Sequence, residues 1–325
     1  MTTPSSLTIA PGEKKRGRRK KTRKLRAFGK RLVVSVISED RYRARRDARR
    51  MDRHKTLLIV HTMGKVGSTT VAASLKAQGI KRTMSLFQPH FLSDEGIAFA
   101  EALALERAGE WSNLTRKGRN GFTRARRLNK ELKRRRDEGG RVKVITMVRD
   151  PLATNVSGLF HNYRWWPAEL KAQCDPPSAE CLAAVGRYFV ATYPHDVPDR
   201  WFDMEVRTLY GIDVFAEPFD AQRGYAIYHS EFADLLVIKL EKLNQCATAA
   251  MHEFLGLDDF RLLESNKAED KEYAAIYQAF RRDLPLSQDY IGRMYASRVA
   301  QHFYTAEELA TFRRKWSAAG LKEAR

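Results

Sequence analysis

The stretch HTMGKVGSTT, residues 61–70, holds residue types that bind phosphate-like anions. A short apolar run, Leu57–Val60, precedes it, and the helix-forming segment VAASL follows it. A strand that passes through a glycine turn into a helix directs backbone N–H groups and the positive helix end at one place. Lys65 adds a full positive charge, and the hydroxyl residues 68–70 add donors. These features predict an oxyanion site; an ordinary capped turn is the alternative.

The order of lysine and glycine separates this turn from the P-loop of nucleoside triphosphatases. In that motif, G-x-x-x-x-G-K-[ST], the lysine follows the last glycine and reaches the β- and γ-phosphates. Here Lys65 precedes Gly67 by two positions, so the lysine lies within the turn itself. The spacing therefore favours an anion other than a triphosphate chain.

A second set of anion-binding residue types lies in the stretch VRDPLATNVSGLF. Arg149 ends a predicted strand, Pro151 suits the first turn of a helix, and Ser157 follows the arginine by eight residues. Because ligands bind at the carboxyl ends of strands in open α/β sheets, we expect Arg149 and Ser157 on the same edge as Lys65. A guanidinium and a hydroxyl suit a phosphate monoester. The alternative is a salt bridge between Arg149 and Asp150, with Ser157 as a packing residue.

His90 is the first candidate for a general base. It ends a predicted strand on the expected ligand edge, and histidine titrates near neutral pH. The nearby carboxylates of Asp94 and Glu95 are the alternatives, because a carboxylate also accepts a proton. His61 lies within the first strand segment, and we expect it to be packed in the core.

Strands that alternate with helices must position these residues. The predicted strands are TLLIVHTM, TMSLFQPH, VKVITMVRD and LLVIKLE. Helices are predicted over STTVAASLKAQG, which ends at Gly79, over the basic stretch RARRLNKELKRRRDEGG, and through the C-terminal third from about Asn266. The alternation predicts an α/β fold with a mainly parallel central sheet flanked by helices and a helical C-terminal third.

The net charge of +20 is concentrated in two segments. Residues 1–55 carry a net charge of +15 and residues 116–143 a net charge of +10, which leaves −5 for the rest. We predict that 1–55 is a disordered basic tail and that 56–325 is a single α/β domain. An anionic membrane surface, contacted through residues 14–50, is a candidate partner of the tail, and a solvated arm is the alternative. Nucleic acid is disfavoured because most basic residues lie in the tail instead of along one face.

The positions of the cysteines and the hydropathy of the chain argue against several classes of protein. Cys174, Cys181 and Cys246 are too few and too scattered for a disulfide framework or a four-ligand zinc site, although the first two can pair if oxidised. No ligand spacing typical of a metal site is present. No apolar run approaches the ~20 residues of a membrane span. We expect a cytoplasmic protein, with the inner face of the membrane as the place that the basic tail would contact.

The two anion-binding motifs together resemble those of sulfotransferases that use 3′-phosphoadenosine 5′-phosphosulfate (PAPS). In that family a turn of the form Lys-x-Gly-[Ser/Thr]-[Thr/Ser] binds the 5′-phosphosulfate, and an Arg with a Ser eight residues later binds the 3′-phosphate. The resemblance implies a P-loop-like sulfotransferase fold, PAPS as co-substrate and no metal. The implied donor-binding residues are Lys65, Val66, Gly67, Ser68, Thr69, Thr70, Arg149 and Ser157. The implied catalytic residues are Lys65, beside the bridging oxygen, and His90.

A wider and less specific resemblance covers about residues 56–318 and includes WFDMEVRTLYGIDVFAEPFD. This part of the chain is similar to bacterial capsular polysaccharide synthesis proteins, which are themselves sulfotransferase-like. The similarity implies sulfuryl transfer to a hydroxyl of a carbohydrate or glycolipid acceptor in the synthesis of capsular or surface polysaccharide. Two alternatives stay open: an ATP-dependent, kinase-like enzyme, and a non-catalytic protein of the same fold that binds an anionic surface.

Overall fold

A five-stranded sheet lies at the centre of the computed structural model, which describes residues 56–263, 272–283 and 286–316. Its strand order is β2-β1-β3-β5-β4. The first four strands in that order are parallel, and β4 is antiparallel to β5. The strands are β1 (Leu57–Val60), β2 (Ser85–Phe87), β3 (Val142–Val148), β4 (Tyr225–His229) and β5 (Ala233–Lys239). The predicted α/β class with a mainly parallel sheet is confirmed.

Helices cover the sheet and form the C-terminal part of the described chain. They are α1 (Ser68–Ala77), α2 (Asp94–Ala108), α3 (Arg116–Asp137), α4 (Pro151–His161), α5 (Ala168–Gln173), α6 (Ala179–Thr192), α7 (Val197–Trp201), α8 (Thr208–Tyr210), α9 (Leu243–Leu255), α10 (Ala274–Asp283), α11 (Gln288–Ala296), α12 (Arg298–Phe303) and α13 (Ala306–Trp316). A π-helix, Phe202–Arg207, joins α7 to α8. Short 3-10 turns span Ile80–Arg82, Trp111–Asn113, Tyr163–Trp165 and Leu240–Lys242.

Burial on both faces explains why three strands were visible as apolar runs. All four residues of β1 are fully buried, and six of the seven residues in each of β3 and β5 are buried. A strand covered by helices on both sides needs apolar residues at successive positions instead of alternating ones. In contrast, β4 has only two buried residues of five, so its sequence YAIYH carries no such run and was not predicted as a strand.

All four predicted strands end two or three residues before their predicted ends, at the edge of the sheet where ligands bind: β1 ends at Val60 instead of 63, and β3 ends at Val148 instead of 150. The strand predicted to end at His90 ends at Phe87, so His90 lies in the loop that follows β2. The strand predicted over 235–241 covers Ala233–Lys239, so Glu241 lies in the 3-10 turn after β5. Both residues therefore lie just beyond the strand ends.

Two helices begin directly after parallel strands, as predicted. Helix α1 follows Gly67, and Gly79 lies just beyond its end with a φ of +80°. Helix α4 starts with Pro151, and the Asp150 side chain caps it by accepting hydrogen bonds from the N–H groups of Leu152 (2.9 Å) and Ala153 (3.2 Å). The carboxyl ends of β1 and β3 therefore each meet the positive end of a helix.

The C-terminal helices pack against α4 through aromatic side chains. The ring centroid of Phe160 lies 5.0 Å from that of Tyr277, which is half-buried, and 5.4 Å from that of Phe280, which is fully buried. Trp316, the last residue of α13, donates from Nε1 to Oδ2 of Asp150 at 2.9 Å. The end of the described chain is thus attached to the cap of α4.

Cys174 and Cys181 form a disulfide between α5 and α6, so the pairing that the sequence left open is present. Cys246 is a buried free thiol. Within the described ranges, no helix has the length and apolar character needed to cross a membrane. The predicted basic tail, residues 1–55 with the membrane-contacting stretch 14–50, lies outside the described residues, as does Asn266.

Candidate functional site

The turn between β1 and α1 has an unusual backbone that opens its N–H groups. Lys65 has a φ of +69° and Gly67 a φ of +87°, and Lys65 is the one non-glycine residue with positive φ among the described residues. Left-handed backbone costs roughly 1–2 kcal/mol for a residue with a side chain, so a compensating interaction is expected where lysine adopts it. Alternating backbone conformations of this kind turn successive N–H groups toward one point and make an anion-binding concavity.

The first turn of α1 lacks an internal acceptor for its N–H groups. Gly67 is the N-cap and has no side chain that could accept a hydrogen bond. The N–H groups of Gly67, Ser68 and Thr69 have no hydrogen-bond partner among the described residues. These unpaired donors and the helix dipole form a site for an oxyanion.

Gly67 also permits the close approach of two other strand ends. A Cβ atom at Gly67 would lie 2.7 Å from Cδ1 of Leu240 and 3.3 Å from Cε of Met147. The first distance is shorter than any ordinary contact, so a side chain at this position would require the end of the Leu240 side chain to move. Glycine is favoured here chiefly by the positive φ.

Arg149, at the end of β3, contacts this turn directly. Its Nη1 donates to the carbonyl oxygen of Lys65 at 2.9 Å. A guanidinium has five N–H donors, so most of its capacity is left for a ligand. No described acidic residue forms an ion pair with Arg149. The two motifs predicted separately from the sequence thus meet at one place, with a cation beside the open N–H groups.

The alternative salt bridge between Arg149 and Asp150 is absent, because the Asp150 carboxylate is used elsewhere. Its Oδ1 accepts the two N–H groups at the start of α4 and the hydroxyl of Tyr295 at 3.0 Å, and its Oδ2 accepts from Trp316. Asp150 is a helix cap that holds α11 and α13 in place. This leaves Arg149 oriented toward Lys65 and away from its neighbour in sequence.

The other predicted donor-binding residues occupy different positions around the turn. Val66 and Ser68 are buried, and the Ser68 hydroxyl accepts from Nε2 of Gln88 at 3.3 Å. Thr69 is exposed and Thr70 is half-buried. Ser157 lies half-buried on α4, and its hydroxyl has no hydrogen-bond partner among the described residues. No hydrogen bond joins Ser157 to Lys65 or Arg149 in the part of the chain that the structure describes.

His90 is held in the tautomer that a general base requires. Its Nδ1 lies 2.8 Å from the carbonyl oxygen of Thr62. A carbonyl only accepts, so Nδ1 carries the proton and Nε2 of the neutral ring is the acceptor. Burial lowers the pKa of His90 against the opposing effect of the Thr62 hydrogen bond, and the electrostatic effects of His61 and Lys65 lower it further. His90 is nevertheless exposed to solvent.

A buried carboxylate fixes the loop that carries His90. Glu205, on the π-helix, is fully buried. Its Oε2 accepts from the N–H groups of Leu92 (2.8 Å) and Ser93 (3.0 Å), and its Oε1 accepts from the Ser93 hydroxyl (3.0 Å). His61 places Nε2 3.1 Å from Oε2 of Glu205 and Nδ1 2.9 Å from the hydroxyl of Tyr210. His61 is therefore a packed residue of the core, as predicted, and Glu205 is a site residue that the sequence did not reveal.

Two further contacts support this loop. Trp201 donates from Nε1 to the carbonyl oxygen of His90 at 2.9 Å. Gly96 lies against Glu205, because a Cβ there would be 1.6 Å from Oε1. No local sequence pattern marks Trp201 or Glu205 as part of the site. Each contacts the loop of His90, which lies more than a hundred positions away along the chain. π-helical turns occur often at functional sites, which agrees with this placement.

Carboxylates at the same sheet edge are engaged in structural hydrogen bonds. Glu241 accepts from the N–H of Asp150 at 2.8 Å and from the hydroxyl of Tyr304 at 2.9 Å. Burial, together with the charge of Asp150, raises the pKa of Glu241. Asp94, the alternative base, accepts from Asn129 and Lys133 of α3, both at 2.6 Å. In the part of the chain that the structure describes, no group of three or more His, Cys, Asp or Glu residues is arranged to hold a metal ion.

The comparison with family models finds one similarity, and it lies in the second half of the chain. Residues 193–305 match the NKWYS family, described as "Putative capsular polysaccharide synthesis protein". The match covers about a third of the chain and includes Trp201, Glu205, Glu241 and Tyr304, but it begins after both anion-binding motifs. No curated protein and no solved structure matches the chain. The chain is thus similar, over this segment, to a family connected with capsular polysaccharide synthesis.

Proposed function

We propose that this protein is a PAPS-dependent sulfotransferase that transfers a sulfuryl group to a hydroxyl of a carbohydrate or glycoconjugate in polysaccharide synthesis. The observation that carries the proposal is the contact between Arg149 and the Lys65 carbonyl. It joins a helix N-terminus with open N–H groups to a guanidinium at the next strand end. Such a pair of anion sites suits a donor that carries phosphate groups at both ends of its ribose.

Donor binding divides among the residues of the two motifs. The N–H groups of Gly67, Ser68 and Thr69 would bind the 5′-phosphosulfate, as unpaired donors at a helix start bind anions. Arg149 and the Ser157 hydroxyl would bind the 3′-phosphate. The cradle formed by Gly67 suits such a ligand, because glycine adopts the positive φ that directs N–H groups of the turn toward one point. PAPS supplies the sulfuryl group and leaves as the 3′,5′-bisphosphate.

The transfer step requires a base on one side and a cation on the other. The acceptor oxygen forms a bond to sulfur while the bond between sulfur and the 5′-phosphate oxygen breaks. The acceptor proton passes to Nε2 of His90, which the Thr62 contact keeps available. Lys65 would stabilise the negative charge that develops on the departing phosphate oxygen. Positioning and charge stabilisation supply most of the catalysis in transfers of this type.

The carboxylates at this edge of the sheet fit an ATP-dependent kinase less well than a sulfotransferase. A phosphoryl transfer of that class uses Mg²⁺ held by an acidic side chain near the phosphates. Asp150 follows Arg149 in the sequence, Glu241 contacts the backbone of Asp150, and both oxygens of each carboxylate accept structural hydrogen bonds. The polysaccharide part of the proposal is supported by the family similarity over 193–305.

A transfer assay with ³⁵S-labelled PAPS tests the proposed function. The full-length protein is incubated with a panel of purified bacterial polysaccharides and glycolipids, and label in the carbohydrate is measured. We expect transfer that is lost in Lys65→Ala and His90→Ala and kept in Arg187→Ala, an exposed arginine on α6 outside the site. Transfer that persists unchanged in both site variants, or transfer of the γ-phosphate of ATP in its place, would overturn the proposal.

A further inference from the structure

A groove of about 370 Å³ lies between α2 and α3, outside the site described above, and both charged and apolar side chains line it. The residues that matter for its chemistry are Asp94, Arg126, Asn129, Lys130 and Lys133. Three of these five are cations and one is an acid. No aromatic side chain is among the described residues that line the groove.

The groove keeps a net positive charge after its ion pairs with acidic neighbours are counted. Lys133 pairs with Asp94 at 2.6 Å, and Arg126 pairs with Glu101 at 2.5 Å. Lys130 is exposed and has neither an ion pair nor a side-chain hydrogen bond with any described residue. Exposed pairs of this kind contribute little to stability, so exchange of their partners for an anionic ligand costs little.

Asn129 requires a hydrogen-bond donor from the ligand, and an anion such as sulfate does not supply one. Its side chain is 3% exposed and donates from Nδ2 to Asp94. Its Oδ1 is buried and has no donor among the described residues. A buried acceptor without a donor costs about 1–3 kcal/mol. A ligand that satisfies Asn129 must donate a hydrogen bond, as a sugar hydroxyl does and a phosphodiester or sulfate does not.

The groove lies close to the candidate base. Asp94 follows His90 by four residues, so their Cα atoms are at most about 14 Å apart. The intervening backbone is held by Glu205 through the N–H groups of Leu92 and Ser93. A chain of a few sugar units spans such a distance. An oligosaccharide that presents a hydroxyl to His90 can therefore extend into the groove.

We infer that this groove binds the acceptor chain and that the acceptor is an acidic polysaccharide. Carboxylates of the chain pair with Lys130 and Arg126, and a hydroxyl donates to Oδ1 of Asn129. The inference rests on the proposed function for the direction of the chain toward His90. A concave groove disfavours a flat bilayer surface, and the lack of a stacking side chain among the described residues that line it disfavours single-stranded nucleic acid.

Titration with a galacturonic acid decamer at moderate salt tests the groove. We expect Lys130→Glu to weaken binding about tenfold, as loss of one charge-assisted contact predicts. Lys81→Glu, which changes the net charge equally at an exposed lysine on another element, should leave binding unchanged. Neutral dextran should not bind. No decamer binding, or an equal loss in both variants, would overturn the inference.

Carbodiimide coupling of the decamer to lysine amines locates the bound chain on the full-length protein. Peptide mass spectrometry should find adducts on Lys130 or Lys133; adducts confined to residues 14–50 would overturn the inference. Vesicles of phosphatidylcholine with phosphatidylglycerol form a separate arm. Lys130-dependent binding to these vesicles without Lys130-dependent binding of the decamer would assign the groove to membranes and also overturn it.

Failure of the donor site can be told apart from failure of the groove. Arg149→Ala should lose the bisphosphate and retain the decamer, whereas Lys130→Glu should do the reverse. If the unaltered protein binds the decamer through Lys130 but does not bind the bisphosphate, the groove assignment stands and sulfuryl transfer falls.

Discussion

The guanidinium of Arg149 donates to the carbonyl oxygen of Lys65 across 84 positions of sequence, at 2.9 Å. The acceptor belongs to the residue whose left-handed backbone shapes the turn before α1. The bond therefore fixes the turn and places a cation next to it. It gives a physical reason for the two motifs to act as one site.

The turn should tolerate no side chain at position 67. Gly67→Ala adds left-handed strain of roughly 1–2 kcal/mol and a collision with Leu240. We expect weaker binding of 3′-phosphoadenosine 5′-phosphate, by about tenfold or more, together with a lower free energy of unfolding. Gly211→Ala is the matched control, because Gly211 has a φ of +69° but open space around its Cβ position. Equal loss of ligand binding in both variants would argue against the anion cradle.

We expect His90 to determine how kcat/KM falls at acidic pH. Protonation of Nε2 removes the acceptor, so the rate falls as pH drops through the pKa of His90. Because burial lowers this pKa below the ordinary 6.5, the acidic limb of kcat/KM should lie below pH 6.5 and the rate should be flat above it. His90→Gln should reduce kcat by about 10²–10⁴-fold and abolish the limb. A limb that survives in His90→Gln would assign the base to another group.

We expect Glu205 to contribute both to the stability of the fold and to the position of the loop that carries His90. Glu205→Ala leaves two backbone N–H groups and a serine hydroxyl without their acceptor, in a fully buried place. We expect a loss of about 3 kcal/mol or more in the free energy of unfolding, measured with urea. Glu169→Ala, an exposed glutamate on α5, should be neutral.

A positioning role for Glu205 predicts a second readout under conditions where the variant stays folded. Glu205→Gln should lower kcat while the affinity for the bisphosphate stays unchanged, because the loop of His90 shifts and the turn at Lys65 does not. A variant with unaltered kcat would show that Glu205 serves stability alone.

The features of this protein that could be predicted are those that depend on local sequence. The strands β1, β3 and β5 were visible because burial on both faces demands continuous apolar runs. Lys65 and Arg149 were visible because each lies where a strand passes into a helix. The short, half-exposed β4 gave no comparable signal, and the end of β2 was placed three residues late.

The support of the site could not be read from sequence. Glu205 contacts the loop of His90 from more than a hundred positions away, and Glu241 meets Asp150 from a similar distance along the chain. Such partners are set by the path of the chain between strands, and no spacing rule encodes that path. For the same reason the disulfide between Cys174 and Cys181 stayed open until the positions of α5 and α6 were known.

Calorimetric titration with 3′-phosphoadenosine 5′-phosphate, compared with ATP and adenosine 5′-phosphate, tests the central claim most directly. The unaltered protein should prefer the bisphosphate, and Arg149→Ala should lose that preference by about tenfold or more, since one charged hydrogen-bonded contact is worth at least that factor. Arg187→Ala should behave like the unaltered protein. Equal or tighter binding of ATP, or a preference that survives in Arg149→Ala, would contradict the assignment of this sheet edge to a sulfuryl donor.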